Sequence, residues 1–573
     1  MKVIHVLLFF FIAASAYAQW NWTDPQKAGY PVIQGQGFTE EIGQTYVRLP
    51  DRAKDKISPH VWYLSRNSTG LSIHFYSNAP SITVRYQVTG HYAMSHMPAT
   101  GVSGIDLYSI DSDGAWKRHT TSNYSFKDTI QYAWQGLPKD KYHDRGYEYR
   151  LYLPLYNTVS WMEIGIPENS RIEYLPQRKE KPIVVYGTSI AQGGCASRPG
   201  MAWPTIVQRK LDYPLINLGF SGSGRLEKEV LDFICEIDAQ LYILDCLPNL
   251  TGVDDNTLNG LIRNAVQQIR AKHDAPILLV EHSSGCNSYG NSDCAARNEA
   301  SRRIFEALQA EGAKDLYYLS CSEINMPEDG VVDYVHPSDL GMQIEAEAYE
   351  KKIREILKQP AGSLSTTRPV TQRREPDNYE WQKRHREILD LNASQPPKAI
   401  ILGNSITHFW GGEPTGPRQT GKDSWDKVMR PLGFHNLGYG YDRIENVLWR
   451  VYHGELDGYE AEKVVVKIGT NNLYLNSDEE IVEGLRFLLS AIRERQPQAV
   501  IKVIGLLPRR NAEEKIKALN KRIQQMVHTE GYKYTDVGSL LLLSNGKINE
   551  ALFSDGLHPN AKGYRKIAKL IAE

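Results

Sequence analysis

A short apolar run closing in Gly-x-Ser-Ile occurs twice in this chain, as Lys181-Pro-Ile-Val-Val-Tyr-Gly187-Thr-Ser189-Ile190 and as Lys398-Ala-Ile-Ile-Leu-Gly403-Asn-Ser405-Ile406. A run of this length, rich in β-branched residues and ended by Gly and a small polar residue, predicts a buried parallel strand entering a turn. The serine then sits at the carboxyl end of a strand, where open α/β sheets bind their ligands. One copy alone reads equally well as a strand end with a serine helix cap. The residues downstream of each copy decide against that.

Ser189 is followed by Asn217-Leu-Gly-Phe-Ser-Gly222, Asp245-Cys-Leu-Pro-Asn249 and Asp333-Tyr-Val-His336; Ser405 is followed by Asn436-Leu-Gly-Tyr-Gly-Tyr441, Gly469-Thr-Asn471 and Asp555-Gly-Leu-His558. The serine-to-histidine spacing is 147 residues in the first set and 153 in the second. Matching landmarks in the same order, twice, mark a duplicated unit. The chemistry fits one reaction type. A serine hydroxyl needs a base to become a nucleophile. His336 and His558 can serve, each with an aspartate three residues earlier to fix its tautomer. The oxyanion formed needs preorganised donors. Backbone N–H groups of the glycine-bearing turn and the asparagine amides can supply them.

On these residues both units resemble SGNH (GDSL-type) hydrolases, esterases named for Ser, Gly, Asn and His in separate blocks. The first unit, with Gly104-Ile-Asp106-Leu-Tyr108 ahead of it, is similar to bacterial esterases carrying an N-terminal GxDLY domain. The second, with Gly403-Asn-Ser-Ile-Thr-His-Phe-Trp410 and Asn446-Val-Leu-Trp-Arg450, is similar to the platelet-activating-factor-acetylhydrolase-like branch. The resemblance implies catalytic Ser189, Asp333 and His336 in one unit and Ser405, Asp555 and His558 in the other. It also implies oxyanion donors Gly222 and Asn249, and Tyr441 and Asn471. Two departures stand out: Asp-Cys-Leu-Pro-Asn replaces the usual third block around Asn249, and Tyr441 occupies the family glycine position. Thr188 and Asn404 stand where GDSL has Asp. Arg198, Trp410 and Arg443 are candidate substrate-binding residues, weighed against packing or surface roles. No cofactor or metal is implied. The implied activity is removal of acetyl groups from plant-type glycans. The alternatives are a glycan-binding protein with one or both units inactive, and an esterase acting on lipids or thioesters.

The flanking sequence sets the frame. Residues 1–18 read as a secretory signal with an Ala16-Tyr-Ala18 cleavage site. Secretion or a periplasmic location is the expectation, with no membrane anchor. Residues 19–176 hold short strand-like runs separated by turn residues, such as Leu71–Tyr76, Ser81–Tyr86, Ile105–Ile110 and Tyr147–Leu153, and predict a β-sandwich of jelly-roll type. Residues 177–359 and 377–573 alternate strand and helix patterns and predict two doubly wound α/β domains. Residues 360–376, rich in Pro, Ser, Thr and Arg, read as a linker. A formal net charge of -1 gives no electrostatic case for nucleic acid. All six cysteines lie between the two serines. Cys286 and Cys294 can bridge across a polar loop, and Cys195 and Cys246, both after strand ends, are a second candidate pair.

Overall fold

The computed structural model describes residues 19–283, 292–375 and 378–573. It consists of an antiparallel β-sandwich followed by two α/β units, the fold expected from the sequence. One sandwich sheet runs, in spatial order, Trp20–Thr23, Val159–Pro167, Ser81–Val88, Ile130–Gln135 and Tyr124–Ser125; the other runs Ile172–Tyr174, Ser72–Ser77, Tyr147–Tyr152, Asp106–Ile110 and Trp116–His119. Alternation builds the core between them. Ile82, Val84 and Tyr86 of one sheet meet Ile73, Phe75, Leu107, Tyr149 and Leu151 of the other.

The three central strands of the second sheet are buried on both faces. Their outward residues Ser72, His74, Asp106, Glu148 and Arg150 are polar yet buried, because the α/β units pack over them. Ser72 and His74 bond each other, while the buried charges require partners and find them across the domain boundaries: Asp106 with Arg198, Glu148 with Arg373 and Arg150 with Asp212.

Each α/β unit is a five-stranded parallel sheet. In the first the order is Leu215–Gly219, Ile183–Gly187, Leu241–Asp245, Ile277–Val280, Leu316–Leu319; in the second it is Phe434–Gly438, Ala399–Gly403, Lys463–Lys467, Val500–Ile504, Lys533–Thr535. Both orders are 2-1-3-4-5, which reverses direction between the first and third strands. That reversal opens a crevice at their carboxyl ends. Ser189 and Ser405 directly follow the first strands, so the duplication places both serines at the same topological point. Among the described residues no helix is long and apolar enough to cross a membrane.

One sequence expectation changes and one gains detail. Residues 360–375 join the units but are not a solvated tether: Thr371, Gln372, Arg373, Arg374 and Glu375 are buried. Arg373 and Arg374 pair with Glu148 and Asp113 of the sandwich. Cys195 and Cys246 are both free thiols. They belong to cores on opposite faces of one sheet, so no bridge can join them. Cys294 is held in a disulfide, while its expected partner Cys286 lies outside the described residues.

Candidate active site

Each serine opens a short helix, Ser189–Gln192 or Ser405–His408. The preceding residue caps it. Thr188 accepts a hydrogen bond from the Ile190 N–H at 3.3 Å, and Asn404 accepts one from the Ile406 N–H at 3.0 Å. The position that departs from Asp in GDSL is thus a helix N-cap, a role both Thr and Asn fill. The second-block asparagines brace the same helix. Asn217 donates to the Ala191 carbonyl and Asn436 to the Thr407 carbonyl, both at 2.7 Å. Each also accepts from the glycine N–H two residues on, at 2.8 and 2.9 Å. Sequence comparison of the two units marks these asparagines only as landmarks. Their bracing role depends on where the strand ends meet.

Long-range packing completes the constellation. His336 Nε2 lies 2.9 Å from Ser189 Oγ, and its Nδ1 lies 2.8 Å from Asp333 Oδ2. In the second unit the distances are 2.8 Å from His558 Nε2 to Ser405 Oγ and 2.7 Å from its Nδ1 to Asp555 Oδ2. A carboxylate can only accept, so each Nδ1 carries the proton and each Nε2 is free to accept from serine. Asp333 Oδ1 accepts the backbone N–H groups of Val335 and His336, and Asp555 Oδ1 those of Leu557 and His558. Partial burial pushes both carboxyls up, but these hydrogen bonds and the imidazole outweigh it and hold them below the ordinary value. Both aspartates therefore stay ionised acceptors at neutral pH.

On the other side of each serine lies the second-block turn. Gly222 has φ +69° and Tyr441 has φ +66°. The backbone conformation is the same although the residue differs, so the turn that would present its N–H groups survives the change. The asparagine amides are anchored to this turn: Asn249 donates to the Gly224 carbonyl at 3.2 Å and Asn471 to the Asp442 carbonyl at 2.9 Å. An amide has two N–H donors. One fixes its orientation and one is left for a ligand.

The three candidate substrate contacts have packing and ion-pair partners. Trp410 is fully buried, donates to Ser424 Oγ at 2.9 Å and stacks on Tyr564. It packs the second core and cannot touch substrate. Arg198 donates to Asp106 Oδ2 and the Tyr108 hydroxyl, both at 2.8 Å, while Asp106 also accepts the Gly200 N–H. The GxDLY residues thus clamp the loop that follows Ser189, and Arg198 serves that clamp. Arg443 is paired with Asp113 of the sandwich at 3.1 Å. A Trp or Arg near a motif in sequence says nothing of which way it faces; that depends on the strand crossing behind it.

The sandwich touches the first centre directly. The Tyr156 hydroxyl donates to the Ser189 carbonyl at 3.2 Å, His60 Nδ1 lies 2.7 Å from Ser223 Oγ, and the His96 ring lies 5.8 Å from that of His336. Donor atoms of Cys195, Asp333 and His336 also lie within 4.8 Å of one another. Beside each nucleophile strand the two units differ sharply. Gly187 pairs with Asp245, and Gly403 pairs with Lys467. Both neighbours are buried; burial pushes Asp245 well up and Lys467 down to about 7.

Comparison with known proteins agrees in every part. Residues 20–172 match the family described as the N-terminus of Esterase_SGNH_hydro-type; residues 180–354 and 401–566 each match a GDSL-like Lipase/Acylhydrolase family. The second unit is 31% identical to human platelet-activating factor acetylhydrolase IB subunit alpha2, over 34% of this chain and 82% of that protein. It is 27% identical to the human alpha1 subunit, over 33% of this chain and 80% of that protein. A crystal structure of a GDSL-like lipase from Bacteroides ovatus is 30% identical, with a TM-score of 0.54, covering 59% of this chain and 98% of that one. With a serine, histidine and aspartate linked at each sheet edge, and these matches over all three parts, the chain belongs to the SGNH (GDSL-type) hydrolases, as a tandem of two such units behind a GxDLY-type β-domain, and is a carboxylic ester hydrolase.

Proposed function

We infer that the protein is an exported carbohydrate O-acetylesterase with two separate Ser-His-Asp centres acting on plant-type glycans. The observation that carries the two-centre reading is the unbroken hydrogen-bond chain from serine through histidine to aspartate in both units. In each, histidine takes the serine proton as Oγ attacks the acetyl carbonyl. The turn N–H groups and the Asn249 or Asn471 amide stabilise the oxyanion. Histidine then returns the proton to the departing sugar oxygen, and water, deprotonated by the same histidine, releases acetate and frees the serine.

The acetyl group is supported by the second unit's likeness to proteins named acetylhydrolases. Export is supported by the N-terminal signal pattern and by the disulfide at Cys294, a bond that persists in oxidising compartments. The sugar is supported by exposed tyrosines close to both centres in sequence. The test is acetate release from a panel of acetylated plant polysaccharides by the unaltered protein, Ser189→Ala, Ser405→Ala and the double variant. Each single variant is expected to lose one activity by at least ~10⁴-fold and keep the other. A single variant that abolishes all ester cleavage would show one centre to be inert.

A further inference from the structure

Tyr441 is out of place in two ways. Its backbone stands at φ +66°, a conformation that strains a bulky side chain. Its side chain gives the fold little in return, being 46% exposed. Among the described residues nothing hydrogen-bonds its hydroxyl or stacks on its ring. Strain kept without a packing gain marks a position held for a ligand. The first unit has Gly222 there, with open space where a side chain would project.

The neighbouring loop repeats the contrast. Three residues after the amide donors stand Tyr474 in the second unit and Gly252 in the first. Tyr474 is 63% exposed, and Gly252 again borders open space. Asn471 ties the two tyrosine-bearing loops together through the Asp442 carbonyl. At the histidine side the pattern inverts. The first unit carries Tyr334 between Asp333 and His336, 69% exposed, where the second has Gly556. A side chain at Gly556 would strike the Arg510 guanidinium at 2.7 Å.

We propose that these tyrosines are sugar-ring platforms on opposite sides of the two nucleophiles: Tyr441 and Tyr474 beside the oxyanion donors of Ser405, and Tyr334 beside the base of Ser189. This rests on the glycan reading and deepens it. Tyrosine offers an apolar face and a hydrogen-bonding rim, which match the C–H face and hydroxyl edge of a pyranose. Each ring is exposed, Tyr474 with Arg509 and Lys515 5.4 and 4.9 Å from its ring centre, so an extended glycan can lie along them without threading a channel. With platforms on opposite sides, the two centres hold a sugar in different orientations and cut different acetyl positions.

The test uses the full chain with one centre silenced, acetylated xylo-oligosaccharides as the glycan probe and 4-nitrophenyl acetate as the small ester. In Ser189→Ala, adding Tyr474→Ala is expected to lower the ratio of kcat/KM on oligosaccharide to that on 4-nitrophenyl acetate about tenfold, through KM on the oligosaccharide. In Ser405→Ala, adding Tyr334→Gly is expected to do the same. An unmoved ratio, or equal loss on both esters, overturns the proposal. If the single-centre proteins cleave 4-nitrophenyl acetate but release nothing from any glycan, the glycan reading itself falls and takes this one with it. Both substituted side chains are exposed, so a thermal melt will separate misfolding from lost binding.

Discussion

At the scale of single residues, the two centres share their serine, histidine and aspartate and differ in what lies behind them. Lys467 is the sharpest case. It sits in register with Gly403 beside the second nucleophile. It is buried, and among the described residues its Nζ meets no hydrogen-bond partner. Burial lowers it to about 7. An unfolded lysine titrates near 10.4. Between the two values the unfolded chain holds a proton that the folded chain has lost, so stability rises with pH across that window. Below about 7 the full penalty of burying the charge is present. Lys467→Met is therefore expected to stabilise the second unit by about 2 kcal/mol or more at pH 6. The gain should shrink as pH rises toward 10. Calorimetric melts at pH 6 and pH 9.5 check this; a difference independent of pH would mean that Lys467 is solvated or paired.

At the scale of elements, the loop after Ser189 is shaped by a strand from another domain. Asp106 accepts from both Arg198 and the Gly200 N–H, and its side chain is almost wholly buried. Charge-assisted hydrogen bonds in such a place are strong. Asp106→Asn keeps the shape but weakens the clamp. In a Ser405→Ala background it is expected to lower kcat at the first centre by about 10- to 100-fold, since small displacements near a nucleophile cost that much. In a Ser189→Ala background it should leave ester cleavage by the second centre within about twofold, because the clamp touches only the first loop. Equal losses in both backgrounds would point to general unfolding instead.

At the scale of the whole molecule, a run of buried charges ties the three parts together. Arg373 of the connecting segment pairs with Glu148 of the sandwich, Glu148 with Arg150, and Arg150 with Asp212 of the first unit, which also binds Arg178. Beside it, Arg374 bonds Asp113 of the sandwich and the Tyr441 carbonyl of the second unit. The sandwich therefore braces both centres. Burial disfavours the charged Glu148 carboxylate, but Arg373 and Arg150 prevail and hold it far below the usual range. A depressed carboxyl contributes stability above its unfolded value, about 4.3, and loses it as pH falls through the folded value. Glu148→Gln strands the buried Arg373 guanidinium and leaves Arg150 with Asp212 alone, and is expected to cost about 3–5 kcal/mol at pH 7. The gap from the unaltered protein should begin to narrow as pH falls below about 4.3. Melting midpoints from pH 7 down to pH 3 test this, and a variant as stable as the parent would show the network to be solvated.

The sequence by itself determined the local patterns and their repetition. Alternation gave the sandwich strands, and apolar runs ending at Gly187 and Gly403 gave the strands that carry the serines. The four-block repeat picked out Ser189, Asp333, His336, Ser405, Asp555 and His558 because short motifs record local backbone demands. Tertiary structure decided everything that depends on which way a side chain faces. Trp410 turned into a core and Arg198 into a domain clamp, because burial on a sheet face is set by what packs over it. The segment around Arg373 reads as a linker in one dimension. It is buried in three because its charges meet Glu148 and Asp113, residues more than 200 positions away in the chain. No local pattern carries that information, since the desolvation of a charge is balanced only by the partner that folding brings to it.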